Sequence, residues 1–112
     1  MNVRNLRTRF DLESPQAVAD GAGSTLLSYA VQGQLWGALE PVSGRAADVG
    51  GLGVSQNRYR ILLRGAPMGA PSRPTPRDRL RLGVRCFEIT AVREADPAAH
   101  YLVCDAVEEV TA

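Results

Sequence analysis

Few residues of this 112-residue chain combine the types and spacing that catalysis or metal binding requires. The single histidine, His100, stands beside a loop–strand junction. Cys86 and Cys104 stand in apolar segments, outside any Cys-x-x-Cys, Gly-x-Ser-x-Gly or Cys–His arrangement. Neither nucleophilic catalysis nor metal binding finds the residues that it needs. We therefore expect a protein that is not an enzyme and that has no catalytic residue, cofactor or metal site.

The two cysteines and the N-terminal segment bear on the compartment. We expect Cys86 and Cys104 to be buried, reduced thiols of a cytoplasmic product, and a disulfide between them would require that their strands pair. The first ten residues contain no apolar run of the kind found in signal peptides, and no stretch approaches the length that spans a bilayer. We expect no membrane partner.

Two further groups resemble sites without matching one. The stretch Gly50-Gly51-Leu52-Gly53 lacks the Gly-Lys-Ser/Thr ending and the following helix of a phosphate-binding loop. The adjacent carboxylates Glu108 and Glu109 lie in the C-terminal tail, where we expect them to be solvated. Neither group predicts a site.

The basic residues form a more informative pattern. All 13 are arginine, and the formal net charge is only +1. Arg58, Arg60 and Arg64 share one strand face; a second face carries Arg77, Arg79 and Arg81, with Arg85 nearby. Such faces can contact a phosphate backbone, or they can be solvated outer faces of a sheet paired with acidic neighbours or another subunit. The near-zero net charge and the scarcity of aromatic residues favour the second interpretation.

Length and hydrophobic periodicity define the elements that would position these arginines. The length suits one domain, residues 1–112, with a core built mainly from aliphatic side chains because aromatics are only 5%. Period-two alternation predicts six strands and little helix. The predicted strands are residues 6–14, 26–40, 58–64, 78–82, 84–92 and 101–107. Between them lie two long irregular segments, 41–56 and 65–76, and residues 108–112 are expected to form a loose tail.

Prolines and glycines set the expected limits of the first two strands. Pro15 is expected to end the first strand, a turn is expected over residues 20–24, and Pro41 is expected to end the second strand. On the second strand one face carries Leu27, Tyr29, Val31, Leu35 and Leu39 together with Gly33 and Gly37, whereas Trp36 points the other way. In the first strand Leu6, Thr8, Phe10 and Leu12 share a face. Six short strands need protected edges, so we expect an all-β fold, a small antiparallel barrel or sandwich.

The stretch from Trp36 to Arg45, W-G-A-L-E-P-V-S-G-R, resembles a stretch of phage head–tail joining proteins, also called head closure or stopper proteins. Leu6-Arg7-Thr8-Arg9 resembles the opening of that family, and residues 57–61 and 78–89 resemble its later strands in the same order. The resemblance covers residues 5–107. Two segments depart from the pattern: the stretch after Arg45 is richer in alanine and glycine, and residues 65–76 are longer and richer in proline.

The resemblance implies a structural component of the neck of a tailed phage or a gene transfer agent-like particle. Such proteins form β-barrels that assemble as a ring, of six or twelve copies, between the portal–adaptor and the tail terminator or tail tube. The ring retains double-stranded DNA, which passes through its channel at release. The implied location is the virion neck, after synthesis in the bacterial cytoplasm.

The resemblance also indicates candidate residues for the channel and for the interfaces with other proteins. The long segment 41–56 is implied to project into the channel, with the candidate channel residues Ser43, Gly44, Arg45, Gly50, Gly51, Leu52 and Gly53. The candidate interface residues are Trp36, Glu40, Arg58, Arg60, Arg64, Arg79 and Arg81. Two alternatives remain open: a small barrel that binds nucleic acid through its arginine faces, and a neighbouring neck protein such as an adaptor or tail terminator.

Overall fold

Six antiparallel strands account for most of the computed structural model, which describes residues 6–47, 54–98 and 100–111, with side chains for 6–42, 57–98 and 100–108. Within those ranges the chain contains no helix. The strands are β1 (Thr8–Ala19), β2 (Thr25–Ala47), β3 (Val54–Arg64), β4 (Arg79–Leu82), β5 (Arg85–Glu94) and β6 (Tyr101–Thr111).

The strands close into a barrel in the order β1-β2-β3-β6-β5-β4. The closing seam joins β1 to β4 through three pairs, Asp11 with Arg81, Leu12 with Leu80 and Glu13 with Arg79. Closure leaves no unpaired edge around the barrel wall, which is the solution to the edge problem that six short strands pose. The predicted all-β antiparallel fold is confirmed.

The interior of the barrel is filled by the inward members of each alternating strand. Phe10 and Phe87 pack edge to face with ring centroids 6.1 Å apart, and Tyr59 packs against Phe87 at 5.1 Å. The rest of the buried cluster is aliphatic or small: Leu12, Ile61, Leu63, Leu80, Ile89, Cys104 and Ala106. The arginines of β3 and β4 that were predicted to share a strand face lie on the outer side, opposite the inward apolar positions.

Two β-bulges change which residues share a face. Gln32 is the extra residue where Leu12 pairs with Gly33 but Glu13 pairs with Val31. Because one extra residue reverses the alternation, Leu27, Tyr29 and Val31 lie on the outer face, not with Leu35 and Leu39 as the sequence pattern predicted. A bulge at Thr90 has the same effect in β5, so that Val92 packs inward and Ala91 outward.

The prolines do not end the strands at which they occur. Pro15 lies within β1 opposite Tyr29, in a part of the strand that pairs only with β2, and an edge strand tolerates a missing N–H. Pro41 lies at a bulge of β2, the other position where a sheet accepts proline. The expected turn at residues 20–24 does form. There the Asp20 carboxylate accepts hydrogen bonds from the amides of Ala22 and Ser24, at 2.8 and 3.1 Å.

The expectation of an irregular segment over 41–56 was wrong for most of its length. β2 continues to Ala47 and β3 begins at Val54, with Gly44 opposite Asn57 and Ala47 opposite Val54. Gly50, Gly51, Leu52 and Gly53 lie outside the described residues. The tail is also a strand as far as Thr111, which pairs with Val54. By contrast, residues 65–76 form the irregular connection that their prolines predicted, with a hydrogen bond from Arg73 to the carbonyl of Ala66.

A second, smaller apolar cluster covers part of the outer wall. Leu62 and Val103, outward members of β3 and β6, are buried together with Ala38 of β2. Leu6, Ala95 and Tyr101 pack over them. Leu6 therefore lies on the outer wall. The alternation predicted that Leu6 would share the inward face of Phe10, and that prediction was wrong. This contact ties the segment before β1 to the outer wall.

Gly37 sits where the barrel wall is too close for any side chain. A Cβ atom at this position would lie 2.7 Å from Cδ2 of Leu63, 2.8 Å from the carbonyl oxygen of Leu62 and 3.2 Å from the ring of Phe10. One of those neighbours is backbone, so it cannot move aside without disturbing the β2–β3 ladder. The barrel wall can therefore close at this level only because residue 37 is glycine.

We predict that Gly37→Ala lowers the free energy of unfolding by about 1–3 kcal/mol, because an extra methyl group overpacks the wall. Urea denaturation of the purified protein would measure it. Ser28→Thr adds a methyl group at an exposed position of the same strand and should change stability by less than about 0.5 kcal/mol. Equal stability of wild type and Gly37→Ala would contradict the packing argument.

Candidate interaction surfaces

An arginine–glutamate pair lies at one mouth of the barrel. Arg85 is an inward residue of β5, and its guanidinium donates two hydrogen bonds to the carboxylate of Glu108, Nε to Oε2 at 2.7 Å and Nη2 to Oε1 at 2.9 Å. The Tyr59 hydroxyl lies 3.3 Å from Oε1 and 3.2 Å from Nη2. This two-point geometry is the strong form of an ion pair, since both carboxylate oxygens are engaged.

Glu108 is one of the few buried charged residues in the described part of the chain. The hydrogen bonds from Arg85 lower the pKa of the Glu108 carboxyl below its ordinary value, against the opposing effect of burial. The expectation of a solvated tail carboxylate was therefore wrong for Glu108. The signal was present in the sequence, because Leu102, Cys104, Ala106 and Glu108 continue one inward alternation.

A second arginine–glutamate cluster lies on the outer face at the closing seam. The buried carboxylate of Glu13 accepts a hydrogen bond from Nε of Arg79, and Nε of Arg81 lies 3.4 Å from its other oxygen. The Arg79 guanidinium also stacks over the ring of Tyr29, 3.7 Å from the centroid. Thus two of the candidate interface residues, Arg79 and Arg81, are committed to Glu13 within the same chain.

The other arginine face, on β3, is open. Arg58, Arg60 and Arg64 are all exposed. Arg60 stands between Glu40 and Asp105 in the strand register, but Asp105 pairs instead with Arg93, at 2.9 Å. No ion pair of Arg60 is found within the described side chains. The β3 face is thus the one whose candidate arginines are available to pair with acidic groups of a partner protein.

Beside this face lies a groove with a volume of about 440 Å³. Its walls combine apolar and arginine side chains across β2, β3, β5 and β6. The lining residues are Val42, Arg58, Tyr59, Arg60, Thr90, Asp105, Ala106 and Val107. An apolar floor with charged rims is suited to an amphipathic or apolar segment, and it presents no convergent catalytic groups.

The remaining candidates in the described part of the chain lie along β2. Trp36 is 54% exposed on the outer wall opposite Arg9, and Glu40 is exposed opposite Arg60. Ser43, Gly44 and Arg45 lie in the extended part of β2, paired with residues 56–58 of β3. The two nominated sets therefore occupy adjoining parts of β2 and β3.

The groups that raised the question of chemistry lie apart from one another. Cys104 is buried, and desolvation raises the pKa of its thiol to about 12. Cys86 is half-buried on the outer face, and both cysteines are free. Nδ1 of the exposed His100 lies 3.3 Å from the carboxylate of Asp96. No group of three metal-ligating side chains, and no helix able to cross a membrane, occurs in the part of the chain that the structure describes.

The Arg85–Glu108 pair predicts a specific pH dependence of stability. A carboxyl whose pKa is lowered by folding contributes stability above its unfolded pKa, about 4.3, and loses it as the pH falls through the folded value. Glu108→Gln should therefore lower the free energy of unfolding by about 1–2 kcal/mol at pH 7. The expected loss is no larger than this because Arg85 is partly exposed and water screens the ion pair. The difference from wild type should shrink below about pH 4.

Urea denaturation of both proteins at pH 7 and pH 3 would test this. Asp105→Asn, which breaks the exposed pair with Arg93, is the matched control and should cost less than about 0.5 kcal/mol at pH 7. A Glu108→Gln difference that is the same at both pH values would show that the charge of Glu108 is not what stabilises the fold.

Comparison with known proteins connects this barrel to virus-like particles. Among curated protein sequences none matches the chain. A chain in the virion of a native gene transfer agent particle is 39% identical, with a TM-score of 0.85 over 95% of this chain and 96% of that chain. The solution structure of a protein from Shigella flexneri 2a, 20% identical, shares the fold with a TM-score of 0.67 over 96% of both chains. The sequence profile of phage head completion proteins matches residues 1–109, and the chain belongs to the phage head completion protein family.

Proposed function

We propose that this chain is a structural head–tail connector, a head closure protein of a tailed phage or phage-like particle. The observation that carries the proposal is the 39% identity to a chain of a gene transfer agent virion, which extends over 95% of this protein. The family match over residues 1–109 supports it independently. The role is architectural, and the described surfaces offer grooves and charged faces in place of a catalytic constellation.

The proposed assembly is a ring of six or twelve copies at the neck of the virion, made in the bacterial cytoplasm. The portal–adaptor lies above it, the tail terminator or tail tube lies below, and double-stranded DNA passes through its channel. A closed barrel supports such an assembly because it has no free edge around its wall. Copies must then meet through faces and projections, and ring symmetry repeats each contact in every copy.

The working part in this proposal is the extension of β2, β3 and β6 past the barrel. β1 leaves β2 at Gly37, while β2 continues to Ala47 with β3 and β6 alongside. We call this three-stranded extension, residues 43–47, 54–58 and 107–111, the tongue. A three-stranded ribbon is stiffer than a loop, so the proposed channel segment is carried on a defined mount. Its small residues Gly44, Ala46 and Ala47 suit close approach around a symmetry axis.

The arginine pairing bears on the alternative of direct nucleic-acid binding. Arg79 and Arg81 are held by Glu13, Arg85 by Glu108 and Arg93 by Asp105. Three carboxylates thus serve four guanidinium groups, which leaves these clusters with one surplus positive charge, and the chain as a whole has a formal net charge of +1. Arg58, Arg60 and Arg64, together with Trp36 and Glu40, remain as proposed contacts with partner proteins.

Shortening the tongue tests whether it retains DNA. Deleting Arg45 and Ala46 together with their cross-strand partners Ser55 and Gln56 shortens the hairpin by about 7 Å. Removing two residues from each of β2 and β3 preserves the side-chain alternation of these two strands. We expect particles that contain the protein and attach tails, but whose heads lose packaged DNA, measured as nuclease-sensitive DNA per particle.

Ser55→Thr, which keeps the length of the tongue, is the control and should give DNA retention equal to wild type. Shortened particles that contain the protein and hold their DNA as firmly as wild type would refute the role of the tongue. Absence of the wild-type protein from purified particles would refute the connector role itself.

A further inference from the structure

β1 and β2 also extend beyond the barrel, at the end opposite the tongue. β4 pairs with β1 only at residues 11–13, and β3 pairs with β2 only from Gly37 onward. Between those limits and the turn at residues 20–24, β1 and β2 pair only with each other. We call this two-stranded ribbon, residues 14–31, the arm.

The arm exposes large apolar side chains on both faces. Leu27 and Val31, on the face continuous with the outer wall, are 66% and 58% exposed. Val18 and Leu26, a cross-strand pair on the other face, are 50% and 60% exposed. An isolated two-stranded ribbon is only marginally stable in water, and exposed apolar patches mark interaction sites. The arm is therefore suited to being covered by another protein surface.

The edge of the arm formed by β2 has none of the usual protection, whereas the opposite edge, on β1, carries Pro15. Residues 25–36 of β2 contain no charged residue and no proline, the two devices with which edge strands avoid pairing with other chains. The only charged residue between positions 14 and 31 is Asp20, at the turn. The arm thus has a long apolar surface, one negative charge and no positive charge.

The direction of the arm is set at its root. Arg79 stacks on Tyr29 of the arm while it donates to Glu13, the last residue of β1 that pairs with β4. Glu13 and Tyr29 belong to the two strands that form the arm, and Arg79 belongs to the barrel. The arm is consequently presented by the barrel at a defined angle, as an interlocking element requires.

The groove beside Arg58 and Arg60 complements the arm. Its apolar members include Val42, 47% exposed, and Val107, and two arginines stand on its rim. Asp105 also lines the groove, but its carboxylate is paired with Arg93. An apolar segment that has a negative tip and no basic residue matches an apolar groove rimmed by guanidinium groups. A second copy of this chain carries both surfaces and is present in a ring at equal concentration.

We propose that the arm of one copy docks in the groove of the next copy. The two surfaces are different patches of one protein, so the contact is heterologous, the kind that generates closed rings by head-to-tail repetition. This inference deepens the proposed function, because it rests on the ring and names the surfaces that join its copies.

Cysteine cross-linking in assembled particles tests the contact. Leu27→Cys in the arm and Val42→Cys in the groove would be combined with Cys86→Ser, which removes the half-buried native thiol while buried Cys104 is left in place. Particles assembled with this variant would be treated with a short bismaleimide. We expect a ladder of cross-linked chains on denaturing gels. Mass spectrometry should identify a linked peptide pair that joins the thiol introduced at position 27 of one chain to the thiol introduced at position 42 of another.

The matched control replaces the arm cysteine with Val84→Cys, at a turn position that is 98% exposed and outside the proposed contact. It should react with a monofunctional maleimide but give no ladder. Particles that contain the protein yet give no ladder with the Leu27→Cys pair would overturn the inference while leaving the connector role intact. A ladder from the control pair, or a cross-link from the arm thiol to a different virion protein, would also overturn it.

Discussion

The three-pair seam between β1 and β4 is the contact on which the barrel depends. Every other neighbouring pair of strands shares a longer ladder or a direct connection, whereas β1 and β4 meet only at residues 11–13 and are far apart in sequence. Leu12 and Leu80 are fully buried on the inner side of this seam, and Glu13 pairs with Arg79 on the outer side. Closure therefore combines apolar packing on the inner side with an ion pair on the outer side, across only three paired residues in each strand.

Closure at that level also decides what extends beyond the barrel. Because β4 is only four residues long, it cannot accompany β1 beyond Glu13, and the remaining residues of β1 and β2 must project as a ribbon. At the other end β1 begins at Thr8, so β2 continues with β3 and β6 alone. The arm and the tongue are thus consequences of strand-length mismatch around a closed barrel, and β2, with 23 residues, runs through all three parts.

The limits of sequence prediction follow from the same geometry. Alternation identified all six strands, since most inward positions of a small barrel are apolar; Arg85 and Glu108, at one mouth, are inward exceptions. Alternation failed at Gln32, because a bulge is one inserted residue with no distinctive composition and it reverses the faces beyond it. Thr90 forms a second bulge of this kind in β5. Pro15 and Pro41 were misinterpreted as strand ends because their tolerance depends on an edge or a bulge that only the assembled sheet defines. Glu108 continues the inward alternation of β6, but nothing local in the sequence identifies Arg85, the distant partner that allows a carboxylate to be buried there.

The two arginine–glutamate clusters have a common structural logic. Arg79 holds Glu13 where the arm leaves the barrel, and Arg85 holds Glu108 where β6 enters the tongue, opposite Asn57. Both arginines belong to the short β4–β5 hairpin. The two-point contact of Arg85 with Glu108 restrains orientation as well as distance. Arg79 restrains the arm by donating to Glu13 while it stacks on Tyr29, so one hairpin sets the direction of both projections. In the proposed ring, where the position of each arm and tongue is repeated in every copy, such fixed roots keep small angular errors from preventing closure.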